Sequence, residues 1–416
     1  MSDFHREPEY LPRPIKPTVV VCGVATHVGR IPGTPGPPLV CFQIVDPSHE
    51  WKHVHNTIIR RTGLALAVAL LATPLVSSPV SATPGLFGSQ DATYDGVFRQ
   101  SLVITGLKAH RLAVPASAVA WLQQQQCADG GFESFRADTT VPCAPGDPTT
   151  YSGEDTNATA AAAIALAALG DKQRARAAVT YLRAAQNADG GFPYYKGGAS
   201  DANSTAMVAL ALTANGVRPA SVRTGELTTI DFLLTATVGC EAEAATRGGV
   251  AYMPGRPNLV SDMATVQVLT ALATRLPWER TFARTAKSLV VPTLTCPGSI
   301  GDEVPALRDQ VAGYTARQLA GHAGLIPDPW SGGNDLASTV WAVMGLAGAN
   351  RARAQATTAE RALQAQAATW VVDAQGKPVA GRLGLLLLLT AARGSDARAF
   401  GGVDLVRTAQ SALSAS

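Results

Sequence analysis

The chain has 416 residues, enough for several small domains or for one large ring. Hydrophobic residues make up 46% and charged residues 16%, so a large core is available and a disordered main body is excluded. The net charge is only +3 and no basic run is interleaved with aromatics, which argues against nucleic acid as a partner.

In chain order, residues 1–57 come first, rich in proline (Pro12, Pro14, Pro17, Pro32, Pro35, Pro37, Pro38) and without helical periodicity. They read as a disordered or mis-assigned extension, with the true translation start near Val54–Ile59. Residues 58–82 read as a secretory signal peptide: Arg60-Arg61, an apolar run from Gly63 to Val76, then a small-x-small site at Val80 and Ala82. The run is short and Pro74 interrupts it, so a retained membrane anchor is the weaker reading. A secreted or extracytoplasmic protein beginning near Thr83 is expected.

From there to the end, two kinds of helix alternate. Helices rich in small and apolar residues all round are expected at 95–108, 155–169, 202–214, 262–274, 335–348 and 380–392. Amphipathic helices are expected at 115–126, 173–186, 224–236, 279–291, 354–370 and 402–413. Gly170, Gly216, Pro277, Gly348 and Gly394 separate partners within the hairpins. Six of each in strict alternation predict an all-α fold, an α6/α6 toroid over 83–416 with an inner and an outer ring. The connection 292–334 is too long for a simple loop and is expected to carry its own helix and act as a flap over one end.

Four cysteines follow the signal: Cys127, Cys143, Cys240 and Cys296. An even count in an exported chain favours disulfides. Of three possible pairings, the local one is expected, since Cys127 and Cys143 bracket a single loop. No C-x-x-C occurs and histidines are scarce after Ala82 (His110, His322), so neither a metal nor a cofactor is expected.

Within this pattern a unit repeats. Trp121-Leu122 … Gln126-Cys127-Ala128-Asp129-Gly130-Gly131-Phe132 returns 60 residues later as Tyr181-Leu182 … Gln186-Asn187-Ala188-Asp189-Gly190-Gly191-Phe192. Each copy precedes a near-copy of one helix start, Asp155-Thr156-Asn157-Ala158-Thr159 and Asp201-Ala202-Asn203-Ser204-Thr205. A weaker echo runs from Phe232 to Gly248-Gly249-Val250-Ala251-Tyr252. This unit resembles the QW repeat of the squalene–hopene cyclase and protein prenyltransferase superfamily. The resemblance implies an α/α toroid in which Gln126, Gln186 and the paired glycines are structural joints.

Asp95, Asp155, Asp201, Asp262 and Asp335 stand at or next to starts of the small-residue helices, all at one end of the expected ring. Each is read either as an N-cap or as part of a converging acidic field. Tyr94, Tyr151, Tyr195, Tyr252 and Trp330 precede those starts and are candidate ligand contacts or wedge packing. The cyclase resemblance points to Glu154 and Asp155, although Ser152-Gly153 stands where that family has another acid. Three functions are weighed: an apolar or isoprenoid-like ligand, or an envelope glycan, bound in a central cavity; a terpenoid cyclase or prenyltransferase-like enzyme with Asp155 as acid; and a carbohydrate-active hydrolase or lyase. Nothing in the sequence sets the oligomeric state.

Overall fold

A computed structural model describes residues 20–23, 40–43, 84–256, 259–273, 275–279, 296 and 303–413. The chain divides into two units, 1–75 and 76–416. In the first, β1 (Val20–Gly23) pairs antiparallel with β2 (Val40–Gln43), Cys22 standing opposite Cys41. The signal-peptide reading, 58–82, lies outside the described residues. Among the described residues, no helix is long and apolar enough to cross a membrane.

The second unit is helical. Six helices, α1 (Gly96–Ala109), α3 (Thr156–Leu169), α5 (Ala202–Ala214), α7 (Asp262–Ala271), α9 (Leu336–Ala349) and α11 (Ala380–Arg393), are buried on nearly every face. They match the expected small-residue helices to within three residues at either end. Each packs on the next, and α11 packs on α1, so the circuit closes. Alanine suits this position: it has the highest helix propensity and lets backbones approach closely. At the α1–α11 contact the fit is tighter still. A Cβ on Gly106 would meet the Leu387 Cβ at 2.6 Å, and one on Gly384 would meet the Leu102 Cβ at 2.6 Å.

Outside this circuit lie α2 (Ala116–Gln124), α4 (Lys172–Ala184), α6 (Thr229–Ala236), α8 (Val304–Gly321), α10 (Arg353–Trp370) and α12 (Leu405–Ser411). They bury one stripe only, as Ala175, Ala178, Val179, Tyr181 and Leu182 do in α4. Each returns the chain, so all six inner helices start at the same end.

The joints between hairpins explain the repeated sequence. The Phe132 N–H donates to Thr159 Oγ1 at 2.9 Å, and that hydroxyl donates to the Asp155 carbonyl at 2.6 Å. The same pair of bonds recurs at Phe192, Thr205 and Asp201; at Val250, Thr265 and Ser261; and at Ile326, Thr339 and Asp335. The Gln126 side-chain amide donates to the Gly130 and Arg174 carbonyls, and that of Gln186 to the Gly190 and Val222 carbonyls. Each thus ties its own turn to the next outer element. Gly130, Gly190 and Gly248 all have positive φ and pack against the backbone of the next hairpin, at Ala177, Thr228 and Gln310.

That register corrects one expectation. Gly248 meets α8 as Gly130 meets α4, and Gly249 lies against Tyr314 of α8 as Gly131 lies against Tyr181 of α4. Helix α8 is therefore an outer helix, packed on α7, α9 and α10, and is not a flap. The outer helix expected at 279–291 lies outside the described residues, apart from Glu279 in a 3-10 turn (Pro277–Glu279). The sequence misled because Val304-Pro305 opens α8 as proline commonly opens a helix, well past the point where a short hairpin would have turned.

Both disulfides have the expected pairing, Cys127–Cys143 and Cys240–Cys296. The first ties the Gly-Gly turn after α2 to the loop that leads into α3.

Candidate functional site: two ends of a filled ring

The amino-terminal ends of the inner helices carry the acids expected there, and most of these acids are caps. Asp155 is fully buried: Oδ1 accepts from the Ala158 N–H at 2.6 Å and Oδ2 from the Ser134 hydroxyl at 2.9 Å. Asp201 caps α5 through the Ser204 N–H and hydroxyl, and Asp335 caps α9 through the same two groups of Ser338. Burial raises the pKa values of Asp155 and Asp201 to about 6, against the opposing pull of these hydrogen bonds. Asp95 makes no capping bond and pairs instead with Arg99 at 2.6 Å. Helix α7 is capped by Ser261; Asp262 follows it and accepts from the Tyr314 hydroxyl at 2.8 Å.

Glu154 and Asp155 are neighbours in extended backbone and point to opposite sides. Glu154 lies against the outer layer, next to Gly131 and within 4.8 Å of both sulfurs of the Cys127–Cys143 bridge. Those sulfurs are bonded to each other and offer no metal ligand. Glu154 is only 6% exposed. Burial first, then a hydrogen bond and charge repulsion from Asp129 and repulsion from Glu133, push its carboxyl up to about 8.

The expected aromatics divide into two groups. Tyr94, Tyr151 and Trp330 are 63%, 64% and 74% exposed. Tyr195 and Tyr252 are half-buried, as is Tyr194 between them in the cluster. Tyr195 stacks edge-on with Tyr194 at 4.7 Å and with Tyr151 at 6.3 Å. The backbone fixes two of these: the Tyr194 carbonyl accepts from the Thr156 N–H, and the Tyr252 carbonyl accepts from the Ala202 N–H. The negative charge of Asp155, then burial, drives the Tyr194 hydroxyl far above its usual range.

The sequence reading passed over the polar residues inside the ring. The Asn157 side-chain amide donates to Asn203 Oδ1 at 3.2 Å, and the Asn203 amide donates to Gln267 Oε1, which links α3, α5 and α7. Asn157 and Asn203 were legible as the repeated Asn of the Asp-x-Asn-x-Thr unit; Gln267 had no such signal.

Below this layer the axis is filled. Ser101, Leu102, Ala161, Ile164, Met207, Trp278, Trp341 and Leu388 leave an axial void of only about 10 Å³. Trp278 enters from the opposite end on the 3-10 turn and meets Trp341 edge-on at 6.4 Å. Among the described residues, the axis at this level is closely packed.

Space opens at the carboxyl-terminal end. A cavity of about 680 Å³ is lined by the last turns of α1, α3, α5 and α11 and by Leu276, Trp278 and Glu279. Its lining is mixed and more polar than apolar: alanines (Ala109, Ala167, Ala168, Ala214, Ala391) alternate with Thr105, Glu279, Thr390 and Ser395, and Lys108, His110 and Arg111 also line it. His110 is held by its Nε2, 2.9 Å from the Leu387 carbonyl and 3.0 Å from Thr390 Oγ1. Burial lowers its pKa, so the ring stays neutral at neutral pH.

No protein-family model matches the chain, and no curated protein does. Among solved structures it is similar to ent-copalyl diphosphate synthase from Streptomyces platensis, at 18% identity and a TM-score of 0.45. That match covers 72% of this chain and 50% of the synthase, so the chain spans half the length of that relative. It is also similar to a protein from Actinoplanes, at 16% identity and a TM-score of 0.45, over 79% of this chain and 94% of the other. The type II terpene cyclase MstE from Scytonema follows at 15% identity and a TM-score of 0.38, over 70% and 74%. The likeness concerns the course of the chain and no more.

Proposed function

We propose that the protein is an exported α6/α6 toroid that binds a small, largely apolar ligand without transforming it. The ligand belongs at the carboxyl-terminal end of the ring, not along its axis. The 680 Å³ cavity there carries this reading. Its volume falls in the range of small-molecule sites, about 300–1,000 Å³. Ile164, Leu276, Trp278 and the alanines offer apolar faces to a small hydrocarbon portion such as an isoprenoid, and the larger polar share of the lining, Lys108 and Arg111 included, suits a polar head that stays near water.

The cyclase reading is the weaker one. An acid that protonates an alkene must reach it, and Asp155 is fully buried with both oxygens bonded to the protein. Glu154 has the right protonation state but lies against the outer layer, not in the ring. Glycoside hydrolysis needs two reachable carboxylates, and Asp155 and Asp201 serve as buried caps.

Native mass spectrometry of protein isolated from its source tests the reading. A retained apolar ligand that disappears in Ala168→Trp, which fills the cavity, supports it. Ligand-free protein, together with no quenching of tryptophan fluorescence by geranylgeraniol or farnesol, overturns it.

A further inference from the structure

Five inner helices close in the same way at the carboxyl-terminal end, with one exception in residue type. After the last turn, an N–H donates to the carbonyl five residues earlier: Leu112 to Leu107, Asp171 to Leu166, Val217 to Leu212, Arg351 to Leu346 and Ser395 to Thr390. This closure puts the residue just before each donor in the left-handed region. Four of those residues are Gly170, Gly216, Asn350 and Gly394, of the two types that tolerate the conformation best. In α1 the position holds Arg111, at φ 58°.

A left-handed backbone costs an arginine stability that glycine would keep, so the position points to a task for the side chain. Compensating the helix dipole is not that task. Lys108 already supplies a cation in the last turn of α1, and Arg111 lies beyond it. Both residues line the 680 Å³ cavity. The Arg111 N–H donates to the Lys108 carbonyl at 2.8 Å, which holds the two at one edge of it. Among the described residues, neither side chain has a hydrogen-bond or ion-pair partner.

The charge balance of the lining sets the kind of ligand. Lys108 and Arg111 are positive, Glu279 is negative and His110 is neutral, which leaves one positive charge in surplus. That surplus matches a single negative charge. A more highly charged head would meet the partial negative ends of α1, α3, α5 and α11, which converge here. A guanidinium fork pairs with both oxygens of a carboxylate, and an ammonium beside it adds a point charge.

We propose that Arg111 and Lys108 select a ligand whose head is a carboxylate, its hydrocarbon portion lying on Ile164, Leu276 and Trp278. The proposal rests on the apolar-ligand reading above and adds to it the charge of the head. No bond is made or broken.

Three compounds with one hydrocarbon and different heads test it: farnesoic acid, farnesol and farnesylamine. Each is titrated into the full chain near neutral pH and followed by tryptophan fluorescence. Farnesoic acid is expected to bind about tenfold more tightly than farnesol, and farnesylamine more weakly than either. Arg111→Gly is expected to lower the affinity for farnesoic acid about tenfold, while the thermal unfolding midpoint holds or rises because the backbone strain is gone. Arg111→Asn, which puts the residue type of Asn350 at this position, is expected to give the same loss and guards against a folding defect in the first variant. Equal affinity for the acid and the alcohol overturns the carboxylate assignment and leaves the apolar cavity standing. A preference for the acid that survives both variants overturns the role of Arg111. If none of the three compounds binds, the cavity reading itself fails and this one falls with it.

Discussion

Glu154 makes a prediction that can be worked through. Its carboxyl titrates at about 8 in the folded protein, against 4.5 for the ordinary group. Below pH 4.5 it is protonated whether the chain is folded or not, and stability does not depend on it. Between these values the unfolded chain releases the proton while the folded chain keeps it, so stability falls as pH rises. Above pH 8 the folded protein holds an ionised Glu154 against Asp129 and the loss is complete. At about 1.4 kcal/mol per pH unit the full displacement corresponds to ~5 kcal/mol. Asp129 is exposed, and water reaching its side of the pair screens the repulsion, so about 2 kcal/mol is the working figure. Glu154→Gln keeps the shape and the hydrogen bond to Asp129 and removes the titration. Urea unfolding at pH 5, 7 and 9, with the disulfides intact, should show wild type and variant converging at pH 5 and the variant more stable by about 2 kcal/mol at pH 9. Asp155 and Asp201 titrate in the same direction near pH 6, but they are common to both proteins and cancel in the comparison. Parallel stability-versus-pH curves for the two proteins would refute the reasoning.

Three further outcomes follow from the joints and the core. Asp155→Ala should cost about 2 kcal/mol, from a lost cap and a stranded Ser134 hydroxyl, while Asp155→Asn should cost less than half of that and leave ligand occupancy unchanged; urea midpoints and native mass spectrometry check both. Gly191→Ala places a Cβ 2.5 Å from the Phe232 ring and should lower stability by about 1–3 kcal/mol, whereas an exposed control, Gly197→Ala, has open space around it and is limited to the strain of its positive φ. Replacing Cys127 and Cys143 together by serine should cost about 3 kcal/mol for a loop of this size, read as a drop in thermal midpoint.

Much of the architecture was legible because the inner helices are written in small residues and the turns in paired glycines. The boundaries of α5 coincide with the expectation at 202–214, where Asp201 caps one end and Asn215-Gly216 closes the other. Misplacing α8 had a physical cause: its mean burial pattern is unremarkable, and its place in the outer layer is set by Gly248 and Gly249 contacting Gln310 and Tyr314, some sixty residues away. The site was harder. Sequence spacing showed that Asp155 and Asp201 start helices but not that their carboxylates turn away from solvent, since that depends on Ser134 and on the neighbouring turn. The filling of the axis by Trp278 was invisible, because nothing local marks a tryptophan after a proline as a plug. The repeated Asn was in plain view; its partnership with Gln267 needed the circuit of helices to bring them together.

The closure of the circuit also bears on how the chain is strung. Phe87 bridges Leu413, and the Gly88 N–H donates to the Ala412 carbonyl at 2.8 Å, so the two ends of the helical unit lie side by side where α1 meets α11. The order in which the hairpins are connected is then a convention of synthesis more than a requirement of packing. Joining 413 to 87 through a short flexible linker and opening the chain at the exposed turn of the 223–228 hairpin should give a circularly permuted ring with the same inner circuit. In that molecule the glycine-locked α1–α11 contact would become an interior pairing of neighbours in sequence, and the seam would move to the face between α5 and α6.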